Sequence, residues 1–557
     1  MDRFRRFLTI TALLFAAPLP LTICLAFKTG GWKAALGAPA GELALALLYW
    51  APIAAWLSFS SARFWKKLLV GYLLSLPLYF AALALLYPLW GGATFHPFTN
   101  GRLPIYLSAT PTFYGLVRLV YFLSTPRIER WTRGAATLAC AAGICTPVYL
   151  AASANPKWPA ATDRLVIAGA HIVDAATGRI IDGENVYIAD GRIAEISSDS
   201  IHPDWPRLSA QGRYLVPGLI DVHTHLQSPI EEPVGFRFGY FMTSMMGAYA
   251  LQRGEYLAGG VTSVRDLGGN AGENFRLRAA ISARKALGPR LFTSGRLVTS
   301  PHGHPVSTIW PDEVSRQGAI LATDEASLDA ALDRNFEAGP PDAVKIVHGT
   351  IGQAKEELSP ELMAVAIRWA DRHHLISIVH AETAAEDEDA LRAGATGIEH
   401  SAYLQSVPAS LASLVAARHP FIDPTFGEVE MHRKMLHLSA AEADCRMQLS
   451  YRAVRELQKA GARLTIGTDA PMVRFGAGFH DELAHFIRAG FTAAEVLTFA
   501  TVGNAAYLGK SAELGRVATG YRADLILADA NPLQKLDTLR HPVWTMLDGQ
   551  IVFRRDR

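Results

Sequence analysis

The chain has 557 residues and a formal net charge of +2 at neutral pH, and half of its residues are hydrophobic. Its charge is unevenly placed, because residues 1–153 hold 13 Lys and Arg against 3 Asp and Glu, whereas the remainder holds 40 against 48. The acidic balance of this remainder argues against nucleic-acid binding. The absence of GxxxxGK[ST], of GxGxxG after a strand and of GxSxG argues against a P-loop, a dinucleotide fold and a serine hydrolase elbow.

Residues 1–153 form a basic, apolar head. A helix of about 20 apolar residues matches the hydrocarbon thickness of a bilayer, so we predict an α-helical transmembrane bundle of about five spans. The span with Pro111 and Arg118 is the weakest. A secretory signal peptide is the alternative for the first span, and hydrophobic helices of a soluble domain are the alternative for all of them. The predicted spans are 7–27, 42–60, 68–90, 104–123 and 134–152.

Basic residues of the head cluster in alternate loops. Cytoplasmic loops of membrane proteins are enriched in Lys and Arg. With an odd number of spans, this rule predicts a multi-pass protein of the inner (cell) membrane, with its catalytic domain on the periplasmic or extracytoplasmic side and the lipid bilayer as a partner. The three clusters are Arg3, Arg5 and Arg6; Arg63, Lys66 and Lys67; and Arg127, Arg130 and Arg133.

After the linker ASANPKWPAA, the sequence pattern changes twice. Residues 163–216 and 511–557 show short alternating strands with turns such as ADGR and LDGQ. Residues 217–510 alternate strand candidates with Ala-rich, charge-dotted helical segments. Eight strands in this order predict an α/β fold, a (β/α)8 TIM-like barrel. The candidates are GLIDVHTH, VTSVRD, RLFTSG, AVKIVH, ISIVHA, TGIEH, HPFIDPTF and RLTIGTD.

Two histidines one residue apart, His223 and His225, end the apolar run LVPGLIDVHTHL. Side chains two residues apart on a strand share a face, so both imidazoles can reach one metal ion. Alone, such a pair is more often two satisfied polar residues than two ligands. Strand ends of a barrel meet at one face, however, and four later strand candidates close on polar residues of the right chemistry. These are Lys345, His380, His400 and Asp469.

These motifs resemble those of metal-dependent amidohydrolases, and most closely the branch of Xaa-Pro-dipeptidase-like and imidazolonepropionase-like enzymes. The pattern is PGxIDxHxH, a strand lysine, two single-histidine strands and a final strand aspartate. LAGGVTSVRD, ATVGNAAYLG and ELGRVATGYRADLILAD extend it, so that it covers roughly residues 163–555. The resemblance implies that 163–216 and 511–557 join into one β-sandwich beside the barrel at 217–510.

The resemblance also implies two divalent metal ions, with zinc favoured by the ligand types. His223 and His225 would hold the more buried ion with Lys345 and Asp469, and the second ion would be held by the two single-histidine strands, through His380 and His400. A lysine between two cations loses its proton and can capture carbon dioxide, so we expect a carbamylated Lys345 that bridges the ions. The alternative is a lysine that caps its strand or pairs with Asp342, in a site with one metal.

A water shared by the ions becomes hydroxide near neutral pH and would be the nucleophile. Asp469 is the candidate proton shuttle from this hydroxide to the departing nitrogen, although an Asp that caps the next helix is the alternative. We therefore expect a membrane-anchored amidohydrolase that cleaves a C–N amide bond in a dipeptide-like, N-acyl amino acid or cyclic amide substrate. The alternative is a membrane-coupled, metal-containing sensor or binding module with little hydrolysis.

Three further residues are candidates for contact with this small-molecule amide. His304 in SPHGHPVS matches a family histidine that reaches the scissile carbonyl, where it would stabilise the oxyanion, and His302 is an equally reachable substitute. His348 is placed near the pocket by its position three residues after the strand lysine. Glu382 departs from the family pattern and would favour a cationic substrate group, unless it belongs to a solvated helix start.

Arg265 and Asp266 close the second barrel strand and are expected to form a structural ion pair beneath the site. The sequence leaves the oligomeric state and the identity of the amide open.

Overall fold

The computed structural model describes residues 158–159, 162–226, 248–310, 312–349, 354–404, 406–435 and 438–555. Its first seven strands are short, in keeping with the frequent turns of this segment. They are β1 (Arg164–Ala168), β2 (His171–Asp174), β3 (Arg179–Ile181), β4 (Asn185–Ala189), β5 (Arg192–Ser197), β6 (Arg207–Ser209) and β7 (Tyr214–Pro217).

Ten strands follow in the central part of the chain, and three more lie near its end. The central strands are β8 (Leu219–Thr224), β9 (Val261–Asp266), β10 (Arg290–Thr293), β11 (Leu297–Thr299), β12 (Ala319–Leu321), β13 (Ala343–Val347), β14 (Ile376–His380), β15 (Gly397–Glu399), β16 (Phe421–Asp423) and β17 (Arg463–Leu464). The last three are β18 (Leu525–Ala528), β19 (Trp544–Leu547) and β20 (Gln550–Arg554).

Helices alternate with the central strands. They are α1 (Ala248–Ala258), α2 (Ala271–Ser282), α3 (Asp312–Gly318), α4 (Glu325–Ala338), α5 (Pro360–Arg372), α6 (Ala384–Ala393), α7 (Ala409–Arg418), α8 (Phe426–Met435), α9 (Ala440–Ala460), α10 (Ala477–Arg488), α11 (Ala493–Thr498) and α12 (Asn504–Tyr507). Short 3-10 turns cover Ser401–Tyr403 and Leu536–Arg540, and a π-helical turn covers Phe499–Gly503.

The central strands close into a parallel barrel. β8, β9 and β10 form one sheet, and β11 and β13 to β17 run in order through a second. The amide of Asp342 donates to the carbonyl of Thr293 (2.8 Å), which joins the two sheets on one side. On the other side the amide of Val222 donates to the carbonyl of Ile466 (3.3 Å). The predicted α/β fold is therefore confirmed, with the carboxyl ends of its strands at one mouth.

The two flanking segments share one β-sandwich. One sheet has the order β5-β4-β1-β6, and the other has the order β20-β19-β18-β7-β2-β3, in which β18 pairs antiparallel with β7. Side chains of both sheets, among them Ile167, Val186, Leu215, Leu527 and Trp544, pack into one buried core. The C-terminal strands therefore complete a sheet that the N-terminal segment begins.

The sandwich is tied to the amino-terminal end of the barrel. Gly218, which enters β8, donates its amide to the carbonyl of Asp524 (2.8 Å). Arg290, at the start of β10, bonds Asp524 (3.1 Å) and Asp548 (2.7 Å). Because these contacts lie at the end opposite to the mouth, they leave the carboxyl ends of the strands open for chemistry.

The membrane predictions require a correction. In the ranges that the structure describes, no helix has both the length and the apolar character needed to cross a bilayer. The longest of them, α9, carries charges along its length, including Arg446, Arg455 and Lys459, and buries only one face. We therefore withdraw the transmembrane bundle, the multi-pass membrane location and the lipid bilayer as a partner. The five segments predicted as spans lie outside the described residues.

Replacement of Gly218 by alanine is expected to destabilise the fold by about 1–3 kcal/mol, because overpacking displaces neighbouring atoms. A Cβ at this position would lie 2.1 Å from Thr262 Oγ1 on β9. Gly254→Ala in α1 is the matched control, since its Cβ would meet no atom within 4 Å and alanine favours a helix by up to about 1 kcal/mol. Denaturant unfolding measures both, and equal stability of the two variants would contradict the close packing of β8 and β9.

Candidate active site

His223 in β8 and His225 just after it approach one carboxylate. Asp469, in the loop after β17, places its Oδ1 3.1 Å from His225 Nε2 and 3.3 Å from His223 Nε2. The contact with His223 is not aligned as a hydrogen bond, and His223 Nε2 is buried without a hydrogen-bond partner in the described part of the chain. The amide of Asp469 donates to the carbonyl of His223 (2.8 Å), which fixes the loop against the strand end.

His380, at the end of β14, and His400, just after β15, bring their imidazoles together, and that of His400 lies next to the ring of His223. The ring centroids of His380 and His400 are 4.2 Å apart, and those of His223 and His400 are 5.1 Å apart. Ligand atoms of His223, His400 and Asp469 all lie within 4.8 Å of one another, close enough for one metal ion. The structure thus gathers the predicted histidines and Asp469 at the mouth of the barrel.

Lys345 lies among these groups on β13. Its side chain is almost fully buried, and Nζ has no hydrogen-bond partner among the described residues. Burial lowers the pKa of this lysine, while the carboxylates of Glu399 and Asp469 oppose the shift. An unpartnered buried amine with a lowered pKa fits the carbamate chemistry expected of this position.

Outer partners select which nitrogen of each imidazole is free. His225 Nδ1 donates to the carbonyl of Gly268 (2.8 Å). The hydroxyl of Thr425 donates to the carbonyl of Pro424, so that it accepts from His400 Nδ1 (2.9 Å). Both contacts leave Nε2 available, as in metal sites where the second nitrogen of a ligand bonds a carbonyl or hydroxyl.

His380 is engaged differently. Its Nε2 lies 3.2 Å from Glu382 Oε1, so this ring is held through the opposite nitrogen. Glu382 is mostly buried, and its amide and that of Thr383 both bond Glu386, at the start of α6. Its carboxylate therefore touches a candidate ligand and is not part of a solvated helix start.

The electrostatics of the site favour neutral imidazoles at most positions. Burial holds the pKa values of His304, His380 and His400 well below their usual range. Burial and Lys345 also oppose protonation of His223, yet the neighbouring carboxylates raise its pKa. Burial would raise the pKa of Asp469, but the charge of His223 and the close contacts with His223 and His225 hold it well below the usual value. Neutral imidazole and ionised carboxylate are the ligating forms.

Two carboxylates of the site were missed by the sequence analysis. Glu399 Oε2 lies 2.8 Å from His223 Nδ1, and Asp423 Oδ2 lies 3.9 Å from the same nitrogen. These three residues form a second, fully buried group of ligand types. A signal was present, because Glu399 and Asp423 close the strand candidates TGIEH and HPFIDPTF just as the predicted ligands close theirs.

The expected ion pair between Arg265 and Asp266 is replaced by other contacts. Arg265 Nη2 lies 3.7 Å from Glu399 Oε1, inside the barrel. Asp266 instead accepts from the amide of Leu226 (2.8 Å) and from Asn274 Nδ2 (2.7 Å). The reason is geometric, since successive side chains of a strand point to opposite faces.

The structure separates the two candidate histidines of the SPHGHPVS loop. His304 is buried, its Nδ1 contacts Thr308 Oγ1 (2.7 Å), and its ring centroid is 5.3 Å from that of His380. His302 is exposed. His348 is buried, and its Nδ1 bonds the carbonyl of Leu358 (2.7 Å). Of the two loop histidines, His304 faces the centre.

A parallel α/β barrel that gathers histidines, a lysine and carboxylates at the carboxyl ends of its strands defines the class of barrel hydrolases. The sequence model of the amidohydrolase family matches residues 214–552, and the chain belongs to this family. The chain is therefore a hydrolase that acts on C–N bonds, in a family that is typically metal-dependent.

Individual relatives agree with this assignment. An ochratoxinase from Aspergillus niger is 25% identical over 434 residues, which cover 71% of this chain and 88% of the relative. A solved Xaa-Pro dipeptidase structure is 21% identical, covers 70% of this chain and all of its own, and has a TM-score of 0.61. The solved A. niger ochratoxinase is 22% identical in the structural alignment, covers 70% of this chain and 95% of its own, and has a TM-score of 0.59. At these identities the structural likeness shows the fold.

His304→Asn is expected to lower the turnover of an amide substrate by about 10²–10³-fold, the usual effect of removing a donor to a developing oxyanion. His302→Asn is the matched control, because it makes the same change on an exposed neighbour two residues away, and it should retain most activity. Steady-state kinetics of both variants measure this. A larger loss in the His302 variant would reverse the assignment.

Proposed function

We propose that this chain is a binuclear metal-dependent amidohydrolase that cleaves the amide bond of a dipeptide-like, N-acyl amino acid or cyclic amide substrate. The observation that carries the metal site is the convergence of ligand atoms from His223, His400 and Asp469 within 4.8 Å, and the ring of His380, 4.2 Å from that of His400, supports a second ion beside it. These three residues come from three separate strand ends. If each had only a structural role, their ligand atoms would have no reason to meet at one point, whereas a shared metal ion requires it. The relatives include a dipeptidase and an ochratoxinase, which supports a small-molecule amide.

The residues fit a two-metal centre. His223 and His225 would hold one ion with Asp469, and His380 and His400 would hold the second. Lys345, as a carbamate, would bridge them. Among the described residues, Lys345 Nζ and His223 Nε2 are buried without hydrogen-bond partners, so Nζ is free to form the carbamate and Nε2 is free to bind an ion. When bound, divalent ions, which we propose to be zinc, polarise the substrate carbonyl and lower the pKa of a coordinated water.

Asp469 is proposed to move the proton. Its carboxylate lies within 3.3 Å of both His223 and His225, and neighbouring positive charge keeps it ionised, which is the form that can accept a proton. It can then deliver this proton to the departing amide nitrogen. His304 is proposed to donate a hydrogen bond to the substrate carbonyl, because Thr308 engages its Nδ1 and leaves Nε2 for the substrate.

His348 and Glu382 are proposed to line the substrate pocket. Glu382 places a mostly buried carboxylate beside His380, where it would favour a cationic group of the substrate and disfavour a carboxylate. The backbone of His348 lies next to that of His380, since its amide donates to the carbonyl of His380 (3.2 Å).

Metal analysis of the purified full-length chain is expected to find close to two ions per chain. The same sample, screened against a pooled library of dipeptides, N-acyl amino acids and cyclic amides, should show turnover that a chelator abolishes and added Zn²⁺ restores. One ion per chain would contradict the carbamate bridge. Stoichiometric metal without turnover of any amide would favour a metal-containing binding module instead.

Asp469→Asn is expected to lower turnover by at least about 10²-fold, because the amide cannot accept the proton, while most of the metal stays bound. His480→Asn is a suitable control, since His480 is also buried but bonds the carbonyl of Gly259 (2.8 Å), away from the ligands. Turnover and metal content are measured on the same preparation. An Asp469 variant that turns over substrate like the control would exclude it as the shuttle.

A further inference from the structure

A fully buried carboxylate lies directly behind the first metal ligand. Glu399 closes β15, and its Oε2 is 2.8 Å from His223 Nδ1. A carboxylate can only accept, so the proton of this imidazole resides on Nδ1. Nε2, which lies 3.3 Å from Asp469, is then the nitrogen with a lone pair for a metal. Glu399 itself is turned away from that nitrogen and acts through His223.

Two further side chains hold Glu399 in this position. The hydroxyl of Tyr507 donates to Glu399 Oε1 (3.0 Å), and Arg265 Nη2 lies 3.7 Å from the same oxygen. Arg265 also donates to the carbonyl of Val222 (2.9 Å), one residue before His223, and to the carbonyl of Tyr507 (3.1 Å). Its guanidinium lies 4.0 Å over the Tyr507 ring. The carboxylate and the strand that carries His223 are therefore fixed by the same arginine.

A glycine at position 397 leaves the space that the Tyr507 hydroxyl occupies next to Glu399. A Cβ on Gly397, two residues before Glu399, would lie 2.0 Å from the Tyr507 hydroxyl. The ring of Tyr507 also stacks on Phe421 of the neighbouring strand, with centroids 4.6 Å apart. Tyr507 can reach Glu399 only because residue 397 has no side chain.

We propose that Glu399 is a positioning residue of the metal centre, which fixes the tautomer and orientation of His223, and that Arg265 and Tyr507 hold Glu399 for this task. The inference rests on the proposed two-metal function. Carboxylates behind metal-bound histidines raise ligand basicity, and their loss commonly lowers metal affinity about 10–100-fold. A merely structural ion pair in the barrel core would instead affect stability and leave the affinity of the folded protein unchanged.

The test uses Co²⁺ alone, added to metal-free full-length protein in competition with a chelator of known affinity. Glu399→Gln is expected to weaken Co²⁺ binding by about 10–100-fold and to shift the visible absorption bands of the bound ion. Tyr507→Phe, which keeps the charge pair of Arg265 and Glu399, should weaken binding by a smaller factor of about 3–10. Tyr187→Phe is the matched control, because its buried hydroxyl donates to the carbonyl of Asp199 (2.6 Å) within the sandwich.

The outcomes separate this inference from the function on which it rests. If the unaltered chain binds no Co²⁺, the proposed metal centre fails. If it binds Co²⁺, and folded Glu399→Gln and Tyr507→Phe match Tyr187→Phe in affinity and absorption, only the role of Glu399 is overturned. Should Glu399→Gln not fold, Tyr507→Phe alone decides in the same way.

Discussion

The site depends on a balance between positively and negatively charged side chains that are buried together at the mouth of the barrel. Lys345 and Arg265 are almost fully enclosed, and they face the buried carboxylates of Glu399 and Asp469. A buried charge without a partner is costly, so these side chains can occupy the interior only together. The closed barrel supplies that condition, because strands distant in sequence deliver the opposite charges to one point. Loss of one carboxylate therefore disturbs both the packing of the barrel and the chemistry of its mouth.

The strand order and the candidate ligands could be predicted because both depend on short-range patterns. Each ligand candidate closes an apolar strand candidate, and the carboxyl ends of such strands meet in a barrel whatever the exact register. The two flanking segments carried turn signals, but their union in one sandwich came from family resemblance and not from any local pattern. It is visible in the pairing of β18 with β7.

The sequence could not show how individual side chains are aimed. His223 and His225 would share a face only on a regular strand, whereas β8 ends at Thr224 and its pairing with β9 shifts register after Asp221. His225 lies beyond the strand and is held in place by a hydrogen bond, which its backbone amide donates to the carbonyl of Ala470 (2.6 Å). Glu399 was overlooked for a related reason. β15 has only three residues and His400 follows it directly. In so short a strand, the alternation of side chains between the two faces does not reveal whether Glu399 or His400 faces the metal site.

Backbone strain explains how the ligands leave their strands and still converge. His400, Thr425 and Asp469 all have positive φ (73°, 47° and 55°), a conformation that residues other than glycine rarely adopt and that costs about 1–3 kcal/mol each. Two of them are fixed by backbone contacts: the amide of His400 donates to the carbonyl of Asp423 (2.9 Å), and that of Asp469 donates to the carbonyl of His223 (2.8 Å). The amide of Thr425 donates to the Asp423 side chain (3.3 Å). Strand ends that continued straight would carry these side chains past the centre. A residue with left-handed backbone conformation after the strand turns its side chain across the mouth. The residue whose carbonyl accepts its amide hydrogen bond is itself a candidate ligand, His223, or a supporting carboxylate, Asp423. The strain and the convergence of the ligands are thus two consequences of one arrangement.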